Sequence, residues 1–379
     1  MTASKTFARA WILLLITGLV LGLFAALTSI FAGLGVYNTR NAVFWGLPMS
    51  GYLFFGLTAA GLTLLSSLPT VSGAKHLYPV AKRAALLAFA TLLAGLMCKS
   101  LDLGPIGTLT NLIWVAFSPN LTSPIWWMAI LYGFYFAFVV FKFLTMHQGK
   151  WHRVEGVFAA IGALLLSFFS FLSLSVVFGT VQARLGFFGF TLGLYFLVTA
   201  LASGLAALLF SSVINTLLKG SKNEQESRAR GDLSLYLGVS LGATLVVFVL
   251  RIIRAFAADT EQMAGFVHMM GSLSFNVEWI AGILIPLVIL AFPSLRKNLA
   301  AQVSASALVL IGMFAGRFEQ LLSGNVKPMG VQAEGAPEFI NYVPSMYEWG
   351  IILLVLFTVL TIYTLAEKFF DLGAAPEEV

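Results

Sequence analysis

The chain has 379 residues, of which 59% are hydrophobic and only 10% are charged, and its mean hydropathy is +0.93. Soluble domains contain about 25% charged residues, so this composition excludes a soluble protein and indicates a membrane protein with several spans. The single cysteine, Cys98, excludes a disulfide framework, a thiolate zinc site and an iron–sulfur cluster held by this chain alone. The net charge of +6 comes from basic residues in short loops, which favours orientation in a membrane over a nucleic-acid partner.

Ten stretches are apolar over at least about 18 residues and therefore predict membrane-spanning helices. The first of them follows Lys5 and Arg9, and it is too long for the apolar region of a signal peptide. All ten are continuously apolar and lack the alternation of a membrane β-barrel, so we expect helices. In chain order the predicted spans are 10–34, 43–69, 84–103, 124–146, 156–178, 188–216, 232–256, 272–292, 300–323 and 347–366.

Lys and Arg residues are distributed unevenly between the two sides of the predicted membrane. The termini and the loops after helices 2, 4, 6 and 8 carry 14 of them, and the opposite loops carry three. Because basic loops stay on the cytoplasmic side, we expect both termini in the cytoplasm. The 14 are Lys5, Arg9, Lys75, Lys82, Arg83, Lys150, Arg153, Lys219, Lys222, Arg228, Arg230, Arg296, Lys297 and Lys368, and the three are Arg40, Arg184 and Lys327.

Ionisable side chains inside the predicted helices are costly in a bilayer and are therefore candidates for function. All but one, Lys142, lie in the outer third of their helices. Glu278 lies about two turns, or ~12 Å, inside the eighth helix, and Arg317 lies at a similar depth on the ninth. We expect these two to form a buried pair or to border a polar pocket. The alternative is that such charges only snorkel or neutralise each other locally, as Lys99 and Asp102 can at i,i+3.

The histidines argue against a haem in this chain. A transmembrane haem usually takes axial histidines from membrane helices. Three of the four histidines, His76, His147 and His152, lie in predicted cytoplasmic loops, and only His268 lies at the outer edge. No nucleotide-binding, metalloprotease or nucleophile motif is visible either. If the protein handles electrons, we expect the metal centres to belong to its partners.

Six short motifs occur in order along the predicted helices. They are Phe44-Trp45-Gly46, His76-Leu77-Tyr78-Pro79 with Arg83, Leu101-Asp102-Leu103-Gly104, Glu278-Trp279 with Pro286, Gly312 to Arg317, and Tyr342-Val343-Pro344-Ser345 with Glu348. In these motifs the chain resembles the NrfD/polysulfide reductase C family of quinone-reactive membrane subunits, particularly its ten-helix, HybB-like branch. One feature departs from that branch, whose members have a histidine near the outer end of the fifth helix. Here Ser170, Ser173 and Ser175 occupy that stretch, and a hydroxyl cannot carry a proton as imidazole does.

The resemblance implies an all-α integral membrane protein with about ten transmembrane helices in a single domain, 1–379. Two four-helix bundles, 43–178 (helices 2–5) and 188–323 (helices 6–9), would be flanked by the first helix, 10–34, and the last, 347–366. It also implies a quinone or quinol pocket near the outer face, for menaquinone or ubiquinone, beside a ferredoxin-like iron–sulfur partner. A molybdopterin enzyme, a hydrogenase or a multihaem cytochrome c would be the catalytic subunit. The location would be the cytoplasmic (inner) membrane of a bacterium or archaeon, among membrane lipids.

These observations predict a subunit that exchanges electrons between the quinone pool and an extracytoplasmic iron–sulfur subunit, with no redox cofactor of its own. Quinone chemistry needs an apolar slot, polar groups at the carbonyls and a protonatable side chain. The catalytic candidates are Asp102, Glu278, Arg317 and Glu348, and the quinone-binding candidates are Trp45, Tyr52, Ser173, Arg251 and His268. We expect no metal site.

Two other functions fit the sequence. One is a secondary transporter, and the other is a membrane anchor without a quinone site. Transporter sites usually lie near the midplane, where glycine or proline interrupts the helices. Here the charges lie off-centre, and Pro286 is the only proline well inside a predicted helix. These features favour the quinone-linked function.

Overall fold

The computed structural model describes residues 2–40, 43–104, 110, 114, 117–181, 186–187, 189–220, 224–258, 260–328 and 334–376. In this part of the chain ten helices are long and apolar enough to cross a membrane, and no strand occurs. The predicted all-α class and the number of spans are therefore confirmed. The spanning helices are α1 (Thr2–Ala32), α2 (Leu47–Ser72), α3 (Tyr78–Asp102), α4 (Pro124–His147), α5 (Val154–Gly179), α6 (Phe190–Lys219), α7 (Glu224–Ala257), α8 (Leu273–Ala291), α9 (Leu299–Ser323) and α10 (Met346–Phe369).

The contacts between helices form two groups of four. In the first group α2, α3, α4 and α5 each contact their neighbours, and α5 returns to α2; α6, α7, α8 and α9 do the same in the second. Helix α2 packs on α6 and joins the groups, while α1 packs on α10. These contacts support the prediction of two four-helix bundles with flanking helices. The division of the chain into such units stays a prediction.

The helices of the two groups come closest where α2 crosses α6. A Cβ atom at Gly61 would lie 2.1 Å from the carbonyl oxygen of Ala200, and one at Gly204 would lie 2.7 Å from the Gly61 backbone. Small residues at such crossings let two helices in a membrane approach backbone to backbone. The contact between the groups therefore depends on glycine.

Replacing Gly61 with Ala is expected to lower the free energy of unfolding by about 1–3 kcal/mol, because the new methyl group meets backbone that cannot move aside. Gly133 on α4 provides the control, since it is exposed and its Cβ would have nothing within 4 Å. Size-exclusion chromatography after graded heating should show early loss of the Gly61→Ala peak only. Equal profiles for the two variants would contradict this account of the crossing.

Several helices extend beyond their predicted ends at the end of the molecule that carries most of the basic residues, which we call the basic end. Helix α7 begins at Glu224 rather than at 232, and α3 begins at Tyr78 rather than at 84. Ion pairs explain the extension of α3: Arg83 is buried, with its Nε 3.1 Å from Glu367 and its Nη2 3.8 Å from Glu226. Hydropathy identifies only the apolar part of each helix, so it does not predict these polar helix ends. Lys222 and Arg184, which contribute to the charge count, lie outside the described residues.

Helix α8 is irregular where it carries Glu278. Its segment Val277–Leu284 is a π-helix, in which each turn contains an additional residue. Pro286 lies two residues after this segment and has no N–H to donate to the carbonyl of Gly282 four residues earlier, which is a physical reason for the wider turn. Gly282 also lies against Gly312 of α9, where a Cβ atom would be 2.6 Å from the neighbouring Cα. This close approach brings α8 and α9 together beside Glu278.

Candidate functional site

Five polar side chains of the second four-helix group lie together near the end opposite the basic end. They are Tyr195 on α6, Arg251 on α7, Glu278 on α8, and Arg317 and Glu319 on α9. Each lies four to six residues from the end of its helix, and all five are buried. We call this set the Glu278 cluster. Two arginines and two glutamates make it charge-balanced when both carboxylates are ionised.

Glu278 is the centre of the cluster. Its Oε1 atom accepts a hydrogen bond from the hydroxyl of Tyr195 and lies 3.8 Å from Nη1 of Arg251. The other terminal nitrogen of Arg251 lies 3.1 Å from Oε2 of Glu319. Gly316 faces the carboxylate, because a Cβ atom there would lie 2.5 Å from its carbon. A single arginine therefore connects two carboxylates from neighbouring helices.

Arg317 lies at the predicted depth but does not pair directly with Glu278. No ion pair within 4.0 Å joins it to Glu278 among the described residues, so the expected direct pair is wrong and Arg251 takes that role. The guanidinium of Arg317 donates instead to the hydroxyl of Thr199 and, at 3.3 Å, to Oε1 of Gln320. Both arginines lie over the ring of Tyr195, Arg251 at 4.2 Å and Arg317 at 4.9 Å from its centroid. This arrangement agrees better with the other possibility, in which Glu278 and Arg317 border a polar pocket.

Four buried polar atoms of the cluster have no hydrogen-bond partner within the described residues. They are Oε2 of Glu278, Oε1 of Glu319, Nη1 of Arg251 and Nε of Arg317. An unpaired polar group in a membrane interior costs several kcal/mol, so such groups are normally satisfied by a ligand or water. The free atoms include two acceptors and two donors. This combination suits a ligand that both donates and accepts hydrogen bonds.

A cavity of about 20 Å³ lies beside Arg251, between α6, α7 and the short helix Thr260–Met269. Arg254, Met263 and Phe266 also line it, and its volume is enough for about one water molecule. The guanidinium of Arg254 donates to Thr191 at 2.6 Å and lies against Gly189, whose φ of +104° few other residues adopt. The cavity provides a place for solvent next to the cluster.

Trp45 is linked to the Glu278 cluster through a row of aromatic rings. Its centroid lies 4.8 Å from that of Phe178, which lies 6.3 Å from that of Phe196, and Arg317 lies 5.0 Å from the Phe196 centroid. Tyr52 is fully buried inside the first group and faces Tyr132 at 5.8 Å. Trp45 therefore lies on a path to the cluster, whereas Tyr52 belongs to the core of the first group.

Ser173 and His268 lie apart from the cluster. The hydroxyl of Ser173 donates to the carbonyl oxygen of Ser170 on its own helix at 2.8 Å. His268 is exposed and stacks on Phe339 with a centroid distance of 4.1 Å. Within the described residues neither makes a hydrogen bond, an ion pair or a ring contact with the Glu278 cluster. Their roles at a quinone site stay predictions.

Glu348 lies in the first turn of α10 and holds this helix against the start of α2. Its carboxylate oxygens accept hydrogen bonds from the backbone N–H groups of Asn38 at 3.1 Å, Leu47 at 3.3 Å and Ser345 at 2.8 Å. The hydroxyl of Tyr342 is a fourth donor. A carboxylate with four donors is suited to anchoring two helix starts. A catalytic role for Glu348 stays a prediction.

Asp102 ends α3 close enough to Glu348 for their charges to interact. Nζ of Lys99 lies 3.3 Å from Oδ2 of Asp102, which is the local pairing that the i,i+3 spacing permits. Nearby, Tyr37 donates to the carbonyl oxygen of Leu101 at 3.0 Å, and burial raises the pKa of Tyr37 to about 12. A catalytic role for Asp102 also stays a prediction.

The comparisons with known proteins agree with this architecture. A family model described as polysulphide reductase, NrfD, matches residues 35–328, which contain both four-helix groups. The chain is 25% identical over 365 residues, 91% of its length and 90% of the relative's, to the "Hdr-like menaquinol oxidoreductase integral membrane subunit" of Archaeoglobus fulgidus. It is 27% identical over 346 residues, 82% of its length and 76% of the relative's, to a Halobacterium salinarum protein provisionally named as a membrane subunit of dimethyl sulfoxide reductase. The family match confirms the resemblance seen in the sequence motifs.

Proposed function

Because the chain belongs to the NrfD polysulphide reductase family, we propose that it is the quinone-interacting membrane subunit of a respiratory oxidoreductase complex. It exchanges electrons between the quinone pool and an extracytoplasmic iron–sulfur subunit. The observation that carries the proposal is the Glu278 cluster, which combines buried charges with unpaired donors and acceptors near one face of the membrane. A midplane transporter site would not place its polar groups at the helix ends.

The cluster has the groups that quinone chemistry needs. When a quinol becomes a quinone it releases two electrons and two protons; the electrons pass to the partner subunit, and the protons need acceptors. Oε2 of Glu278 accepts one hydroxyl proton and Oε1 of Glu319 accepts the other, while the unpaired N–H groups of Arg251 and Arg317 donate hydrogen bonds to the quinone oxygens. Tyr195 fixes the Glu278 carboxylate through its hydroxyl. In the reverse reaction the same groups return the protons.

The aromatic row from Trp45 to Phe196 forms one apolar wall for the quinone ring. The ring needs more room than the cavity of about 20 Å³ beside Arg251. The proposal therefore requires the side chains of Met263 and Phe266, which line that cavity, to move aside when quinone binds. Such rotamer changes are common when proteins bind ligands.

The names of the two relatives refine the proposal. One is named as a menaquinol oxidoreductase subunit, and this favours menaquinone over ubiquinone. Both are named as membrane subunits of oxidoreductases, which supports a separate catalytic subunit, and we propose a ferredoxin-like iron–sulfur protein between the two. In the described chain no group of three or more His, Cys, Asp or Glu side chains is placed to hold a metal. The assignment of all redox centres to the partners stays a prediction.

Purification of the tagged chain from its native membrane tests the proposal. We expect iron–sulfur and catalytic subunits to co-purify and a quinone analogue to bind the complex and inhibit quinone-linked turnover. A chain that purifies alone and transports a solute would support a transporter instead. Co-purification without analogue binding would identify an anchor that lacks a quinone site.

Reporter fusions test the proposed orientation. A fusion after Lys150, at the basic end between α4 and α5, should report the cytoplasm, and one after Lys327, beyond α9, should report the outer side. The reason is the accumulation of Lys and Arg at the basic end. An alkaline phosphatase and a fluorescent protein give opposite signals on the two sides. Reversed signals would place the Glu278 cluster at the cytoplasmic face.

A further inference from the structure

A second cavity, of about 1000 Å³, opens at the basic end of the second four-helix group, across the membrane from the Glu278 cluster. It lies between the start of α7 and the connection from α8 to α9. Its polar lining includes Thr216, Arg228, Arg230, Arg296, Lys297 and Gln302. We call it the basic cleft. Nothing in the proposed electron transfer uses it.

The lining of the basic cleft carries net positive charge, with four cations, Arg228, Arg230, Arg296 and Lys297, against the two carboxylates of Glu224 and Asp232. Arg228 pairs with Glu224 at 2.6 Å, and both side chains are exposed. Arg230 is 6% exposed and donates to the hydroxyl of Thr216 at 2.7 Å. Among the described residues no carboxylate lies within 4.0 Å of Arg230, Arg296 or Lys297. With Asp232 as the other acidic group in the lining, the cleft favours an anion.

Two buried polar atoms of the lining have no hydrogen-bond partner within the described residues. They are Nε of Arg296, a donor, and Oε1 of Gln302, an acceptor. Gln302 is 2% exposed, and its amide nitrogen already donates to the carbonyl oxygen of Arg296 at 2.6 Å. Burying such atoms unpaired is unfavourable. An occupant that offers both an anionic oxygen and a hydroxyl would satisfy them.

The basic cleft continues into an apolar surface. Leu235 lines the cleft and is exposed, as are Phe292 and Leu295 beside it. Further from the cleft α7 and α8 touch at Gly238 and Leu290, and exposed apolar side chains lie on both helices next to this contact. A molecule with an anionic head and a long apolar tail fits the basic cleft and the adjoining apolar surface.

We propose that the basic cleft binds the headgroup of one anionic phospholipid, with the phosphate at Arg230, Arg296 and Lys297 and a headgroup hydroxyl at Gln302. The acyl chains lie along the apolar surface of α7 and α8. A phosphatidylglycerol-type headgroup supplies both groups. The bound lipid would fill the space between the start of α7 and the α8–α9 connection.

Native mass spectrometry tests this on the full chain, purified with any subunits that accompany it. The probe is a mixed micelle of detergent with equal phosphatidylglycerol and phosphatidylcholine. We expect retention of one phosphatidylglycerol and an affinity about 25-fold lower in Arg296→Gln/Lys297→Gln, since each cation near the membrane surface contributes about a factor of five. Lys297→Gln alone, at an exposed position, should lower the affinity about fivefold and guards against a folding defect.

The matched control is Lys75→Gln/Arg153→Gln, which removes two exposed cations at the same end of the molecule but outside the cleft. It should retain the lipid as the unmodified chain does. Equal loss in this control, or equal retention in the cleft variants, would overturn the proposal. Displacement of the lipid by millimolar inorganic phosphate would show a soluble phosphate site instead. Equal retention of phosphatidylcholine would show that the cleft does not recognise the headgroup. Either result would also overturn the proposal. None of these outcomes depends on quinone turnover.

Discussion

Replacement of Glu278 by Gln is expected to reduce quinone-linked turnover of the intact complex about 100-fold or more, because the amide cannot take up a proton. The change preserves the size of the side chain, and the amide oxygen can still accept the hydrogen bond from Tyr195. Arg251 keeps its 3.1 Å contact with Glu319. The complex should therefore assemble normally. Turnover with a quinone substrate and turnover with an artificial dye are measured on the same preparation.

The dye reaction is the internal control, since it passes through the partner subunits without the membrane site. Glu338→Gln is the matched variant: it makes the same chemical change at an exposed position beyond α9 and should leave both rates unchanged. If Glu278→Gln supports a normal quinone-linked rate, Glu278 is not the proton carrier. If both rates fall together, the substitution has disturbed assembly rather than chemistry.

The number and type of the helices could be predicted because the membrane imposes a local rule. Every backbone polar group in the bilayer must be satisfied within the segment, and the segment must be apolar over about 20 residues. Both conditions can be read along the chain without knowledge of contacts. The helix ends could not be read in this way. Arg83 looks like a loop residue until its buried contacts with Glu226 and Glu367 are known.

The depth of the charges was also predictable, but their partners were not. Distance from a helix end gives depth, and it places Arg251, Glu278 and Arg317 at one level as the structure does. Partner choice depends on how each helix is rotated about its axis. The π-helical segment changes that rotation at Glu278, and hydropathy contains no signal for it. The choice of Arg251 rather than Arg317 as the partner of Glu278 is a tertiary feature that depth alone does not determine.

Tyr195 and Thr199 belong to the site although both side chains are neutral, so the positions of the charges do not predict them. The signal for Tyr195 is a tyrosine at the depth of Glu278, five residues into α6. Glu319 lies four residues from the end of α9, where a charge is also expected to snorkel, so its position alone does not mark it as part of a site. Its contact with Arg251 at 3.1 Å makes it the second carboxylate of the cluster. Because two buried carboxylates face Arg251, its replacement is expected to have a large effect on stability.

Arg251→Gln is expected to destabilise the folded chain by about 3–5 kcal/mol, because removing one partner leaves buried charges uncompensated. Both Glu278 and Glu319 are fully buried and lose their nearest cation. The measurement is the fraction of monodisperse protein that remains after graded heating, followed by fluorescence-detected size-exclusion chromatography. Arg153→Gln is the control, since that arginine is exposed and its loss should change stability by at most about 0.5 kcal/mol.

The double variant Arg251→Gln/Glu319→Gln separates charge pairing from packing. If the loss in Arg251→Gln arises from the unpaired carboxylates, neutralising Glu319 as well should restore part of the stability. The coupling between the two positions should then be about 0.5–3 kcal/mol, as found for residues in one ion-pair network. Strict additivity would mean that Arg251 contributes through its pair with Glu278 or its contacts with the rings of Tyr195 and Phe266 rather than through Glu319. The remaining loss in the double variant reports the ring contacts together with the pair with Glu278, whose Oε1 lies 3.8 Å from the guanidinium.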